Sequence, residues 1–132
     1  MAKKILVIED SATFRALLTA TFRQKGYEVV GADTGFAGLR AAKNETPDFI
    51  SLDLSLPDSS GVEVLSSLKD NATTRDIPVL ICTACVDGGV REEVLRRGAA
   101  EILTKPVQPV DLFAALDRHL RPAANEASRA QR

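Results

Sequence analysis

The sequence predicts an α/β protein: five parallel strands in a doubly wound sheet of order 2-1-3-4-5, with helices on both faces. Three observations predict it. Short apolar runs alternate with longer segments of helical period. The runs are continuously apolar, the mark of strands buried on both faces. Glycines and prolines fall between the segments, where connections turn.

Taken in order, Lys4 to Ile8 (KILVI) is the first strand. Ser11 caps the helix that follows. Its apolar positions Phe14, Leu17, Leu18, Thr21 and Phe22 are spaced i, i+3, i+4, i+7, i+8, one face of a helix, and Gly26 ends it. Glu28 to Ala32 (EVVGA) is the second strand. Phe36 to Lys43 is a second helix, with Phe36, Leu39 and its alanines inward. Pro47 breaks it, and Asp48 to Asp53 is the third strand. Pro57 and Gly61 bracket a loop, and Val62 to Lys69 is a third helix through Val64, Leu65 and Leu68. Ile77 to Thr83 is the fourth strand.

Gly88-Gly89 delays the fourth helix to about Val90–Arg97, which carries the i,i+4 pairs Glu92–Arg96 and Glu93–Arg97 on a solvated face. Gly98 stops it, and Glu101 to Thr104 is a brief fifth strand. Pro109 opens a fifth helix with Leu112, Phe113, Leu116 and Leu120 on one side. Five strand–helix units of this kind fit the flavodoxin-like order. After Arg121 no aliphatic larger than alanine remains. The expectation is one domain over 1–121, and over 122–132 a disordered tail or the start of a linker.

Bulk properties narrow the function. At 132 residues, one domain with a substantial core is expected. A net charge of −1 gives no general attraction to nucleic acid or to an anionic membrane. No segment has the ~20 apolar residues of a membrane span, and the run Ile5 to Ile8 is too short for a signal core. Two cysteines, Cys82 and Cys85, are too few for a disulfide scaffold. The chain reads as cytoplasmic.

In an open parallel sheet, ligands bind beyond the carboxyl ends of the strands. Here those ends deliver Glu9 and Asp10, then Asp53, Thr83, and Lys105 followed by Pro106. Three carboxylates in one cleft repel, each pair by about 4 kcal/mol at ~4 Å and an effective dielectric of ~20. Lys105 alone cannot offset three. An all-oxygen donor set of this kind suits Mg²⁺, or the similar Mn²⁺. A carboxylate held there beside a lysine is placed to attack phosphorus and form an aspartyl phosphate. A carboxylate nucleophile of this kind needs no general base.

Taken singly, each of these residues has an ordinary explanation. The conjunction of Glu9-Asp10, Asp53 within LDLSLPDSSG, Thr83-Ala84 and Lys105-Pro106 resembles the receiver domain of two-component response regulators, single-domain chemotaxis regulators included. The resemblance covers residues 3–121. It implies that Asp53 takes a phosphoryl group from a phosphohistidine on a sensor kinase or histidine phosphotransfer protein. It implies that Asp10 and Asp53 hold Mg²⁺ directly, Glu9 through water, and Ser55 through its backbone carbonyl. Lys105 would bind a phosphoryl oxygen, with a cis Lys105-Pro106 bond. Thr83 would turn toward the phosphoryl group, altering the face formed by the fourth helix, fifth strand and fifth helix for an unidentified protein target. Slow self-dephosphorylation would reset it. No nucleic acid or membrane is implied as a partner of this chain alone.

The sequence departs from that family's pattern in places. The first acid is Glu9 where aspartate is common. Ile102 stands where a switching tyrosine or phenylalanine is usual, so an aromatic flip cannot occur there. Cys85, two residues after Thr83, borders the phosphoryl site and bears on how fast water removes the group.

Rival functions remain to be separated. A hydrolase of the haloacid-dehalogenase type wants a second acid two residues after the nucleophile, where this chain has Ser55. A pure interaction module would have no use for the acid and lysine set. Cys82-Thr-Ala-Cys85 has the spacing of a thioredoxin-type redox pair, but Cys82 lies inside the apolar run VLIC, where a thiol packs as a small hydrophobe. His119, the sole histidine, reads as a surface or helix-end residue, far from both cysteines. Motion is expected at Gly88-Gly89, where paired glycines weaken a helix start.

Overall fold

A computed structural model describes residues 2–84 and 86–120. Cys85, Arg121 and the tail expected over 122–132 lie outside the described residues. The strands are β1 (Lys4–Ile8), β2 (Glu28–Ala32), β3 (Phe49–Leu52), β4 (Val79–Thr83) and β5 (Glu101–Thr104). The helices are α1 (Ala12–Gln24), α2 (Gly35–Glu45), α3 (Gly61–Asp70), α4 (Gly88–Arg96) and α5 (Pro109–His119). All strand pairs are parallel and the order is β2-β1-β3-β4-β5, as the alternation predicts.

The continuous apolar runs divide by parity between two cores. Leu6, Ile8, Ile50, Leu52, Val79 and Ile81 face one side, against Ala42 of α2, the α3 residues Val64, Leu65 and Leu68, and Val94 of α4. Ile5, Val7, Phe49, Leu80 and Cys82 face the other, against Leu18 and Phe22 of α1 and Leu112, Ala115 and Leu116 of α5. Because both faces are covered, every strand end along one edge of the sheet is free to carry polar chemistry.

Helix boundaries follow their caps. Ser11, Thr34, Ser60 and Asp87 each accept a hydrogen bond from an N–H in the first turn of α1, α2, α3 and α4. The Asp87 cap lets α4 begin at Gly88 itself, two residues earlier than the glycine pair suggests. Gly26 and Gly98 take φ of 90° and 109° just after α1 and α4, a region few other residues tolerate. Lys105-Pro106 is cis.

Two expected core residues point outward. Phe36 is 67% exposed, and the Arg40 guanidinium lies 5.4 Å from its ring centre. The buried stripe of α2 is Gly35, Gly38 and Ala42, residues small enough for the helix to sit directly on β1. A Cβ on Gly38 would come within 2.6 Å of the Ile8 side chain. Leu17 is 53% exposed. The stripe of α1 centres on Leu18, and one residue back is about 100° away around the helix. On α4, Glu93–Arg97 closes at 2.8 Å; no ion pair joins Glu92 to Arg96 among the described residues.

Candidate functional site

The site is assembled by sheet hydrogen bonds that continue one residue past the strands. The Glu9 N–H donates to the Ala32 carbonyl at 2.9 Å, the Asp53 N–H to the Ile8 carbonyl at 3.0 Å, and the Lys105 N–H to the Thr83 carbonyl at 2.8 Å. Three chain segments far apart in sequence are thereby pinned side by side at one sheet edge.

Glu9 is 1% exposed and Asp53 4%. The Lys105 ammonium donates to Glu9 Oε1 at 2.8 Å and to Asp53 Oδ2 at 3.4 Å. The Ser11 N–H donates to Glu9 Oε2 at 3.0 Å, and the Ser55 N–H to Asp53 Oδ1 at 3.2 Å. Asp10, exposed, completes the acidic group: carboxylate oxygens of Glu9, Asp10 and Asp53 lie within 4.8 Å of one another.

The electrostatics follow from this crowding. Burial raises the Glu9 carboxyl above its ordinary value; the Asp53 charge adds to the rise, while Lys105 and the Ser11 N–H oppose it. Burial works against the charged form of Lys105 too, but its bond to Glu9 and the charges of Asp53 and Glu9 outweigh that and hold the ammonium above the usual lysine value. Lys105 is a full cation at neutral pH. One cation faces three acids, and a divalent ion would supply what is missing. The donors are hard oxygens, and their 4.8 Å span is only slightly wider than the ~4.2 Å that two opposed ligands of Mg²⁺ cover. The residues present fit such an ion.

Thus the structure brings together Glu9, Asp10, Asp53 and Lys105, with Ser55 bonded through its N–H. Thr83 is buried at the end of β4 and linked to Lys105 through the backbone, but no hydrogen bond joins its hydroxyl to the charged group among the described residues. Ile102 is buried in the core on the α4 side.

Two contacts at the site have no signal in the sequence. The Phe14 ring lies 4.4 Å from the Lys105 ammonium, so this residue, expected only as core, also faces the lysine. Asp58 accepts from the N–H groups of Gly35 and Phe36 at 2.8 and 2.9 Å. It thereby ties the loop after Asp53 to the start of α2, and these bonds hold its carboxyl below the ordinary value. Its partners lie more than twenty residues away, which no local pattern reveals.

The remaining titratable candidates are accounted for elsewhere. Cys82 is 1% exposed, and burial pushes its thiol up to about 12, the opposite of a reactive thiolate. Its expected redox partner Cys85 lies outside the described residues. His119 is the last residue of α5, as expected, and its Nε2 also lies 2.7 Å from Glu101 Oε1 at the start of β5.

The family model for the response regulator receiver domain matches residues 5–117. The chain is 36% identical over 129 residues to the phosphate regulon transcriptional regulatory protein PhoB of Escherichia coli (strain K12), covering 96% of this chain and 56% of that protein. The chain therefore spans about half the length of that curated relative. A CheY-like receiver domain structure from Methanospirillum hungatei JF-1 superposes with a TM-score of 0.86 at 27% identity, covering 91% of this chain and 94% of that one. The receiver domain of sensor histidine kinase PA1611 from Pseudomonas aeruginosa PAO1, solved with magnesium in its active-site cleft, gives 0.83 at 28% identity, covering 91% and 98%. Described residues hold no helix long and apolar enough to cross a membrane. With the matching family model spanning nearly all of the described fold and the acidic cluster at its expected edge, the chain belongs to the response regulator receiver domain family, whose members are signalling phosphoacceptors.

Proposed function

We propose that Asp53 accepts a phosphoryl group from a phosphohistidine on a sensor kinase or histidine phosphotransfer protein. An Asp53 carboxylate oxygen attacks phosphorus, the P–N bond breaks, and its electron pair returns to the imidazole. The product is an aspartyl phosphate. The observation that carries this reading is Lys105: its ammonium bridges Glu9 and Asp53, beside a third acid.

Asp10 and Asp53 would hold Mg²⁺ or Mn²⁺ directly, with Glu9 through water and the Ser55 carbonyl completing the protein's share. Bound there, the ion supplies positive charge to the phosphoryl oxygens. Lys105 exchanges its contact with Asp53 Oδ2 for a phosphoryl oxygen. The Thr83 hydroxyl turns toward the new group, and β4 passes that movement to the face of α4, β5 and α5, where a protein target docks. Ile102, buried on this face, replaces an aromatic switch with aliphatic packing. Water attack on phosphorus breaks its bond to the Asp53 oxygen, releases inorganic phosphate and a proton, and so slowly resets the carboxylate.

The test is intact mass after incubation with acetyl phosphate. Wild type gains one phosphoryl mass with Mg²⁺ and none with chelator, and Asp53→Asn gains none. A wild type that never gains it, or an Asp53→Asn variant that gains it equally, overturns the reading.

A further inference from the structure

Beside the acidic cluster a second cation has a different task. Arg15 Nη1 donates to the backbone carbonyl of Glu9 at 2.7 Å. Its stem reaches that carbonyl by crossing edge strand β2 at Gly31. A Cβ on Gly31 would lie 3.2 Å from Arg15 Cδ and 3.6 Å from Cγ. A lone glycine within the strand pattern EVVGA is thus explained by close approach of another group. Meanwhile the Glu9 N–H is fixed by Ala32. The Glu9 residue is held from both sides just where the chain leaves the sheet and turns into α1.

We propose that Arg15 is a positioning residue for the divalent-cation pocket. By holding the Glu9 carbonyl it sets the plane of the Glu9–Asp10 peptide, and so the direction from which the Asp10 carboxylate enters the cluster. Gly31 gives the stem room to pass: a Cβ there would force it to shift by a few tenths of an ångström, and a larger side chain by more. The inference rests on the reading that the acids hold a divalent ion.

Two physical roles for Arg15 predict opposite signs. As a nearby positive charge only, it repels a cation, and its removal tightens binding. As a positioning group it supports the site, and its removal loosens binding by roughly 10- to 100-fold, the usual effect of losing an outer-shell partner. The charge-preserving variant Gly31→Val separates the roles again, since it obstructs the stem while leaving the guanidinium in place.

The experiment is Mg²⁺ titration by calorimetry of wild type, Arg15→Gln and Gly31→Val, with thermal unfolding measured in chelator. Both variants are expected to bind Mg²⁺ about tenfold more weakly or worse at temperatures where both are folded. If Arg15→Gln fails to fold, Gly31→Val and Arg15→Met, which keeps an apolar stem without the donor, decide. Unchanged or tighter Mg²⁺ binding in the folded variants, with wild type binding normally, overturns the role of Arg15. Failure of wild type itself to bind Mg²⁺ instead removes the pocket reading beneath it.

Discussion

Lys105 and Glu9, 96 positions apart in the chain, meet at 2.8 Å on the carboxyl edge of the sheet. Glu9 is almost wholly buried, so this contact replaces much of the water that would otherwise solvate its carboxylate. Removing one partner of such a pair costs more than the pair contributes, because the other is left buried and unmatched. Lys105→Met should destabilise the metal-free protein by about 1–3 kcal/mol, read by urea unfolding at pH 7 in chelator. Millimolar Mg²⁺ should recover part of the loss by binding only the folded state. Equal stability of variant and wild type in chelator would show that the pair is not needed.

Gly61 bears on the position of Asp53 through the backbone. Its N–H donates to the Leu54 carbonyl at 2.9 Å, and a Cβ there would collide with the Asp53 carbonyl and Leu54 Cα. Neither is a flexible side-chain end. Gly61→Ala is expected to cost about 1–3 kcal/mol and to slow phosphorylation about tenfold or more by shifting the acceptor. Chemical unfolding and a time course with acetyl phosphate measure the two effects.

The Glu101 cluster gives a pH signature. Hydrogen bonds from Arg118 and His119 outweigh burial and hold the Glu101 carboxyl below its ordinary value. An acid lowered by folding contributes stability above its unfolded value, and that contribution disappears as pH falls through the lowered one. Glu101→Gln should therefore be less stable than wild type at pH 7, with the gap closing in acid below the ordinary glutamate range. Urea midpoints across pH check it; a gap that is constant with pH would contradict it.

Cys82 should behave as packing. Its buried thiol, pushed up to about 12, is expected to resist a thiol reagent at pH 8 in native protein, tested on a Cys85→Ser background. Cys82→Ala should still accept a phosphoryl group, losing about 1 kcal/mol from the smaller side chain. Rapid labelling of Cys82, or loss of phosphorylation in a folded variant, would reopen the redox reading.

Much of this molecule is legible along the chain for a definite reason. Strands covered on both faces are apolar without interruption, so KILVI and VLICT stand out, and a parallel sheet sends all its strand ends to one edge. Glu9, Asp10, Asp53 and Lys105 therefore converge by topology alone. What escapes is anything decided by the side of a helix or by a distant partner. Phe36 looks apolar enough to be core, yet the close contact of Gly38 with Ile8 turns it out to solvent. Phe14 over Lys105, Asp58 on α2, and His119 on Glu101 join elements whose separation only the folded chain reveals.

The most direct test of the central claim is to locate the phosphoryl group chemically. Borohydride reduces an aspartyl phosphate to homoserine, which marks the acceptor in the peptide sequence. After treatment with acetyl phosphate and Mg²⁺, followed by borohydride, homoserine is expected at position 53 and at no other aspartate. Homoserine at another position, or none in protein whose mass shows the added phosphoryl group, would contradict the assignment of Asp53.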